Sequence, residues 1–163
     1  MDVAELARER GLELLRFAYL LCGDRQRSED LLQDVLLAMY RRFPGDITIE
    51  NPVGYARRSL VNANVSRARR SASTEVLVPE FTDGADLSGG DPGDREVLWH
   101  SLRHLPPRQR AVLVLRFYVD ASDEEIATIL GCRRGTIRSL ASRALAAMRA
   151  DPALALDNAE GAS

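Results

Sequence analysis

The sequence contains no lysine, and all 22 of its basic residues are arginine. It has only two cysteines in 163 residues, too few for a disulfide framework and without metal-ligand spacing. Its apolar runs are short, and none approaches the ~20 residues that a membrane-spanning helix needs. The first residues, MDVAELARER, lack the basic start and apolar core of a secretory signal. These absences favour a cytoplasmic protein.

Charge is distributed unevenly along the chain, although the formal net charge is only −2. Residues 1–70 carry +2 and residues 95–150 carry +5, whereas residues 71–94 carry −6 and residues 151–163 carry −3. Two positive blocks are therefore separated by an acidic connector. Their basic side chains are all guanidinium groups, which form forked contacts with phosphate and guanine that lysine cannot duplicate.

Helical periodicity dominates both positive blocks, and no alternating strand pattern of useful length competes with it. A cap at Asp24 and a stop at Pro44-Gly45 divide the first block into helices. The connector SASTEVLVPEFTDGADLSGGDPGD is rich in Ser, Gly, Pro and Asp, which is typical of a flexible linker. We predict an all-α fold of two small helical domains. The predicted divisions are a first domain at 1–70, the linker at 71–94, a second domain at 95–150 and a flexible tail at 151–163.

The segment SDEEIATILGCRRGTIRSLASRALAAMR has the sequence form of a helix-turn-helix. Ser122 and Glu125 make a capping-box pattern, and Gly131 stands where the chain must turn with a positive φ. If the apolar residues of the second helix face inward, arginine and serine face outward, and these side chains reach base edges and phosphates in a major groove. We predict that seven residues bind DNA: Arg133, Arg134, Thr136, Arg138, Ser139, Ser142 and Arg143. The alternative is a solvated basic face on a structural helix pair.

The start of that second helix departs from the usual capping rule. Arg133 or Arg134 stands where Ser or Asp would cap best, at a cost of about 1 kcal/mol. Cations there also oppose the positive end of the helix dipole. Residues that break a local rule of helix stability concentrate at functional positions. A bound DNA phosphate would compensate for the missing cap and for the repulsion between the arginines and the helix dipole.

The stretch NPVGYARRSLVNANVSRARR, residues 51–70, contains five arginines and no acid. An aromatic ring to stack on an unpaired base, amides for base edges and arginines for phosphates suit a single DNA strand. The predicted strand-binding residues are Tyr55, Arg57, Arg58, Asn62 and Asn64. For Tyr55, a place in the protein core is the alternative.

Residues that would support catalysis or bind a cofactor are not apparent in the sequence. It shows no nucleophile–base pair, carboxylate dyad or phosphate-binding loop, so an enzyme is the least favoured class. His100 and His104 could share a helix face, but no cysteine or carboxylate pair accompanies them at a zinc spacing. We therefore expect no cofactor and no metal.

Together these stretches resemble a bacterial RNA polymerase sigma factor of the extracytoplasmic-function (ECF) type, within the short actinobacterial SigE-like group. LPPRQRAVLVLRFYVDASDEEIATILGCRRGTIRSLASRALAAMR resembles its C-terminal DNA-binding domain. LLRFAYLLCGDRQRSEDLLQDVLLAMYRRF resembles its polymerase-binding helices, and residues 51–70 resemble its promoter-melting segment. The resemblance covers roughly residues 10–70 and 95–149, in the same order as in the family.

The resemblance implies a protein that binds core RNA polymerase and directs promoter-specific initiation of transcription. The C-terminal domain would read the minus-thirty-five duplex, and the N-terminal domain would hold the melted minus-ten strand. Asn62 matches the asparagine of the family at this site, and Tyr55 stands where many relatives have tryptophan. The acidic linker would pass through the basic cleft of the polymerase. A simple solvated spacer is the alternative for the linker.

The resemblance also implies partners and a polymerase contact. Asp30, Gln33 and Asp34 lie at positions i, i+3 and i+4 of one predicted helix and would contact the largest polymerase subunit. Without the resemblance these three residues are an ordinary solvated face. The expected partners are core RNA polymerase and promoter DNA, with no membrane; an anti-sigma factor is left open.

Two other functions remain as alternatives to the sigma factor. A stand-alone helix-turn-helix regulator would bind DNA tightly by itself, normally as a symmetric dimer on a palindrome. No coiled-coil seam or obvious dimer helix in the sequence supports it. The second alternative is a helical protein that binds another protein and whose basic faces have no role in binding. The sharply separated charge blocks argue against it.

Overall fold

The computed structural model describes residues 1–73 and 101–151, and all regular structure in these two ranges is helical. The all-α prediction is therefore confirmed. The chain divides into two compact units with the boundary between Ala85 and Asp86. Most of the predicted linker and nearly all of the predicted tail lie outside the described residues. Within these ranges no helix is long and apolar enough to cross a membrane.

The described part of the first unit, residues 1–73, has three helices: α1 (Val3–Cys22), α2 (Arg25–Arg42) and α3 (Pro52–Ser73). The Asp2 side chain accepts a hydrogen bond from the Glu5 backbone N–H, and the Glu5 carboxylate accepts one from the Asp2 backbone N–H, which completes a capping box on α1. Gly23, at φ 81°, ends α1. The predicted Asp24 cap of α2 is confirmed, since its carboxylate accepts from the Arg27 backbone N–H at 3.2 Å.

The three helices enclose one apolar core. α3 continues to Ser73, past the predicted domain end at residue 70. Its buried side chains pack with those of α1 and α2. The core includes Leu6, Leu14, Phe17, Leu21, Leu31, Val35, Met39, Leu60 and Val61. Because these side chains fix how each helix is rotated about its axis, they also decide which polar residues face solvent.

The second unit contains α4 (Pro107–Leu113), a π-helical turn (Val114–Tyr118), α5 (Asp123–Leu130) and α6 (Arg134–Arg149). The pair Pro106-Pro107 predicts the start of a helix in the sequence, and α4 does begin at Pro107. The sequence predicts one helix as far as Val119, but its last turn widens, with the Val119 N–H bonded to the Val114 carbonyl at 3.3 Å. Residues 111–115 are all buried, so this segment is the centre of the unit.

The side chain of Arg110 joins α4 to the chain that precedes it. Its guanidinium donates to the carbonyl oxygens of Leu102, Arg103 and Leu105 at 2.9, 3.0 and 3.0 Å. Residues 101–103 are helical, and the last carbonyls of a helix have no partner within that helix. Arg110 therefore caps these carbonyls and holds the two segments together.

Candidate nucleic-acid interface

The helix-turn-helix consists of α5 and α6, which meet at a tight turn. Ser122 caps α5, with its Oγ accepting a hydrogen bond from the Glu125 backbone N–H at 3.1 Å. Gly131 ends α5 at φ 66°, a left-handed conformation that glycine adopts without steric cost. The Cys132 N–H then bonds to the Ala127 carbonyl at 3.0 Å and closes the turn. The predicted Ser122 cap and the predicted positive φ are both confirmed, but the Glu125 side chain does not complete the capping box.

One side of each helix is buried in the second unit. α5 buries Ile126 and Ala127, and α6 buries Ile137, Ala141 and Ala144. The alanines let the helix backbones approach closely, because interaxial distance depends on the side chains at the contact. The rotation of α6 about its axis is therefore determined by these residues, and the side of the helix away from them faces solvent.

The solvent-facing side of α6 carries the side chains that the sequence predicts to bind DNA. Thr136 is half-buried, and the other six predicted residues are exposed: Arg133, Arg134, Arg138, Ser139, Ser142 and Arg143. They cover a broad arc of the helix along roughly 15 Å of its axis, at 1.5 Å per residue. A B-DNA major groove is about 12 Å wide and admits one α-helix. The surface therefore has the size and chemistry to enter a major groove.

Arg133 occupies the N-cap position of α6 and makes no side-chain capping hydrogen bond. The first turn of α6 contains no acidic residue. Free backbone N–H groups, the positive end of the helix dipole and the nearby arginines all favour a bound anion. The irregular cap that the sequence predicts is therefore present, and its chemistry suits a DNA phosphate.

One carboxylate contacts this surface. Asp123, the first residue of α5, accepts a hydrogen bond from Arg116 at 2.5 Å and lies 3.9 Å from Arg138 Nε. A shallow concavity beside them is lined by Arg116, Arg138, Ser142, Leu145 and Arg149. The sequence-based prediction omits Arg116 and Asp123. Arg116 lies in an otherwise apolar helical segment, and only the packing of the π-helical turn brings it to α5.

In the first unit, three of the five predicted strand-binding residues share one face of α3. Tyr55, Arg58 and Asn62 are spaced at i, i+3 and i+7, and Arg58 and Asn62 are exposed. Tyr55 is half-buried, with its ring edge-to-face with Phe43 at a centroid distance of 5.7 Å. Tyr55 therefore has a core contact and a partly accessible surface at once, and its contact with a DNA strand stays a prediction.

The other two predicted residues, Arg57 and Asn64, lie on the side of α3 that faces α1. Asn64 is only 9% exposed. Its amide donates to the Leu21 carbonyl at 3.2 Å, and its oxygen accepts from Cys22 Sγ at 3.4 Å. Because both ends of the side chain are used inside the protein, the prediction that Asn64 contacts a DNA strand is corrected to a structural role.

Arg57 belongs to a charged cluster with Glu13 and Arg10 of α1. Arg57 forms a short ion pair with Glu13, which also accepts a hydrogen bond from Arg10 Nε at 2.7 Å. The hydrogen bond from Arg10, followed by the positive charges of Arg57 and Arg10, lowers the pKa of the Glu13 carboxyl from its ordinary value. The same hydrogen bond raises the pKa of Arg10. Among the described residues, Arg57 thus has a protein partner, whereas the exposed Arg58 has none.

The predicted polymerase contacts lie together on α2. Asp30, Gln33 and Asp34 are all exposed, and Asp30 accepts a hydrogen bond from Gln26 at 3.1 Å. The same face continues to two large apolar side chains, Leu37 and Tyr40, which are 49% and 60% exposed. Exposed apolar residues beside polar ones are typical of protein–protein contacts. The sequence does not single them out, because they lie in the apolar run VLLAMY and look like core residues.

Two family models match the chain. The first unit matches "Sigma-70 region 2" over residues 6–74, and the second matches "Sigma-70, region 4" over residues 101–150. The region 2 match includes all of α2 and α3, and the region 4 match includes the whole helix-turn-helix. The candidate surfaces on α2, α3 and α6 therefore all lie within the matched residues.

Characterised relatives match across both units. The RNA polymerase sigma-E factor of Streptomyces avermitilis is 35% identical over 150 residues, which cover 91% of this chain and 84% of that protein. The RNA polymerase sigma-E factor of Streptomyces coelicolor is 35% identical over 153 residues, covering 91% of this chain and 85% of that protein. The match therefore includes most of each relative as well as most of this chain.

Solved structures show the same fold. A sigma factor RpoE from Bartonella quintana, crystallised with the anti-sigma factor NepR, has a TM-score of 0.64 and 26% identity, covering 84% of this chain and 88% of that one. The extracytoplasmic function sigma factor SigJ of Mycobacterium tuberculosis has a TM-score of 0.61 and 27% identity, covering 93% of this chain and 54% of that one.

Proposed function

Since this chain belongs to the sigma-70 family of RNA polymerase sigma factors, in its extracytoplasmic-function group, we propose a division of promoter recognition between its two units. It is a sigma factor that binds core RNA polymerase and directs promoter-specific initiation. In our proposal the second unit reads the duplex of the minus-thirty-five element. The first unit binds the polymerase and holds the melted minus-ten strand.

The observation that carries this proposal is the exposed arginine and serine surface of α6. Ile137, Ala141 and Ala144 are buried on one side, while the predicted DNA-binding side chains face solvent on the other. Arg138, at 68% exposure, is well placed to reach a base edge, and Arg133 and Arg134 lie at the helix N-terminus, where phosphate binds well. We assign Ser139, Ser142 and Arg143 to the same interface, with Thr136 at its edge.

For the minus-ten strand we propose the face of α3 that carries Tyr55, Arg58 and Asn62. It combines a partly accessible aromatic ring, a free guanidinium and an exposed amide, which are the groups that hold a single strand. Arg57 is a secondary candidate, because a strand would have to compete with Glu13 for its guanidinium. Asn64 is not part of this proposal.

For core RNA polymerase we propose the face of α2 with Asp30, Gln33 and Asp34. The adjoining exposed Leu37 and Tyr40 support this assignment, since a mixed polar and apolar surface suits a protein partner better than a nucleic acid. This face of α2 is acidic, whereas the proposed DNA-binding face of α3 is basic. The two kinds of partner would therefore bind different surfaces of the first unit.

The remaining assignments are coarser. We propose that the chain catalyses no reaction itself and acts in the cytoplasm, where the polymerase and the chromosome are. We propose two domains at 1–73 and 95–150, with the first extended from residue 70 because α3 continues to Ser73, an acidic linker between them and a tail at 151–163. The structural relative from Bartonella quintana was crystallised with an anti-sigma factor, and we propose an anti-sigma factor as a partner here too.

The first experiment tests association with polymerase and dependence on it. The full chain and bacterial core RNA polymerase are run together on a sizing column at moderate salt, and the complex is then tested for a shift of promoter DNA. We expect co-migration, and a shift that requires both components. A shift of equal strength by the free chain would contradict the proposed division and favour a stand-alone regulator.

A second experiment tests the assignment of the α6 surface. Arg138→Ala should cost about 1–3 kcal/mol at one base pair of the upstream element if Arg138 pairs with guanine. The measurement is the affinity of the holoenzyme for a set of duplexes with single substitutions. A loss that is uniform across all sequences would show that Arg138 contacts phosphate instead.

A further inference from the structure

Asp123 connects an arginine outside the proposed DNA-binding surface to one within it. Its Oδ1 accepts a hydrogen bond from Arg116 Nη2 at 2.5 Å, while its Oδ2 lies 3.9 Å from Arg138 Nε. Each oxygen of the carboxylate therefore faces a different guanidinium. The contact with Arg116 is a hydrogen bond, whereas the contact with Arg138 is a looser ion pair. Asp123 is thus anchored by Arg116 and restrains Arg138 weakly.

The position of Asp123 is determined by the protein fold without any help from DNA. Asp123 follows the N-cap Ser122, and its side chain is 21% exposed. A negative charge in the first turn of a helix is stabilised by the helix dipole. Its partner Arg116 extends from the π-helical turn, where the chain is packed in the core of the unit. The carboxylate is therefore in place before DNA arrives.

Arg138, by contrast, has considerable freedom, since its side chain is 68% exposed. An exposed arginine side chain samples many rotamers and can pair with any phosphate within reach. Phosphate contacts position a protein on DNA but carry no sequence information directly. Reading a guanine instead needs the guanidinium to point at O6 and N7 in a fixed orientation. A carboxylate beside Nε restricts the side chain and leaves its outer N–H groups available.

We propose that Asp123 is a positioning residue that sets the sequence specificity of Arg138, by holding its guanidinium for a base edge and away from phosphates. The inference rests on the proposed function, because it requires Arg138 to read a base pair of the promoter. Asp123 acts through Arg138 and touches no DNA itself. Arg116 contributes to this positioning, because its hydrogen bond holds the Asp123 carboxylate in place.

Loss of the carboxylate should have opposite effects on general affinity and on specificity. With a neutral side chain at residue 123, both Arg116 and Arg138 become available to phosphates. Each additional phosphate contact steepens the dependence of log affinity on log salt by roughly 0.9. Affinity for poorly matched DNA should therefore rise, while discrimination at the base pair read by Arg138 should fall.

The test uses the holoenzyme with a promoter duplex selected from a library randomised in the upstream element. Affinities are measured for this duplex and for one substituted at the base pair identified by Arg138→Ala. For Asp123→Asn we expect discrimination to fall by about two- to fivefold, the range of a partly exposed ion pair. We also expect tighter binding of the substituted duplex and a steeper salt dependence.

The matched control is Glu124→Gln, which makes the same change of charge one residue later at an exposed side chain. It should retain the discrimination of the wild type. Asp123→Glu keeps a carboxylate at the site, and it should lie closer to the wild type than Asp123→Asn does. Thermal unfolding of each variant separates a loss of specificity from a loss of folded protein.

Two results would overturn the inference, and they are distinguishable. If Arg138→Ala lowers discrimination but Asp123→Asn leaves it unchanged, or weakens binding to both duplexes equally, then Asp123 has a structural role only. If Arg138→Ala itself leaves discrimination unchanged, the proposed base contact of Arg138 fails, and the inference fails with it.

Discussion

The side-chain amide of Asn64 donates a hydrogen bond to the carbonyl oxygen of Leu21 across 3.2 Å. The last carbonyls of a helix have no partner within it, and this one lies at the end of α1, beside the buried Cys22. α3 thus supplies a hydrogen-bond donor to the end of α1. The contact ties together two helices whose contacting residues are 43 positions apart in the chain.

Asn64 and Asn62 should therefore respond differently to the same substitution. Asn64→Ala removes the buried hydrogen bonds of Asn64 with the Leu21 carbonyl and with Cys22 Sγ, and we expect it to lower the free energy of unfolding by about 1–3 kcal/mol. Asn62→Ala removes an exposed amide and should change stability by less than about 0.5 kcal/mol. The measurement is thermal or denaturant unfolding of both variants. Equal destabilisation by the two would contradict the assignment.

Asn62→Ala should also weaken opening of the promoter by the holoenzyme, because the proposed strand contact is lost. Permanganate reactivity of unpaired thymines in the minus-ten region reports the open complex. Wild-type reactivity in this variant would remove Asn62 from the proposed strand-binding face.

Arg133→Ser should have effects of opposite sign on stability and on DNA binding. Serine caps a helix N-terminus well, whereas Arg133 makes no capping hydrogen bond, so the variant should gain about 1 kcal/mol of stability. It also loses a cation next to the proposed phosphate position, so promoter affinity and its salt dependence should both fall. Unfolding and holoenzyme binding are measured on the same protein. Unchanged affinity would place Arg133 outside the DNA interface.

Asp34→Ala should weaken the association with core RNA polymerase and leave the fold intact, because Asp34 is exposed on the proposed contact face of α2. Asp24→Ala provides the contrast on the same helix. Asp24 caps α2, so its loss should cost about 1 kcal/mol of stability. Polymerase affinity is measured by titration with labelled chain. The assignment fails if Asp34→Ala binds polymerase as tightly as the wild type.

Protonation of Glu13 at acidic pH should lower the stability of the first unit. Its pKa is lowered in the folded protein, first by the hydrogen bond from Arg10. A lowered folded-state pKa adds stability that is present above the ordinary value of 4.5 and is lost as the pH falls through the folded-state value. Because the cluster is partly exposed, the contribution is below about 1 kcal/mol.

The check for Glu13 is the stability of the wild type and of Glu13→Gln, measured from neutral pH down to below pH 4. The difference in the free energy of unfolding between the wild type and the variant should shrink as the pH falls. A constant difference between the two proteins across this range would show that the charge of Glu13 does not stabilise the fold.

Local sequence signals predict most of the helices and their ends. Asp24, Ser122 and Gly131 act on backbone groups within a few residues of themselves, so their roles follow from spacing alone. The helix-turn-helix is predictable for the same reason, since its cap, glycine and apolar positions are all close in sequence. Its arginine surface then follows from which side of α6 is apolar.

The face of α3 that meets α1 was not predictable in this way. Helical spacing already separates Tyr55, Arg58 and Asn62 from Arg57 and Asn64, but both sets are polar. Which set faces inward depends on partners elsewhere in the chain, here Glu13 and Leu21.

The amino-acid sequence by itself determined the helical class, the helix caps and the basic surface of α6, because these depend on short-range spacing and on the chemistry of single side chains. Tertiary structure alone decided that Asn64 is a structural residue and that Arg57 is paired. It also decided that Asp123 lies between Arg116 and Arg138, once the π-helical turn had placed Arg116 beside α5. Such pairings depend on helix rotation and packing, which hydrophobic contacts across the whole unit determine.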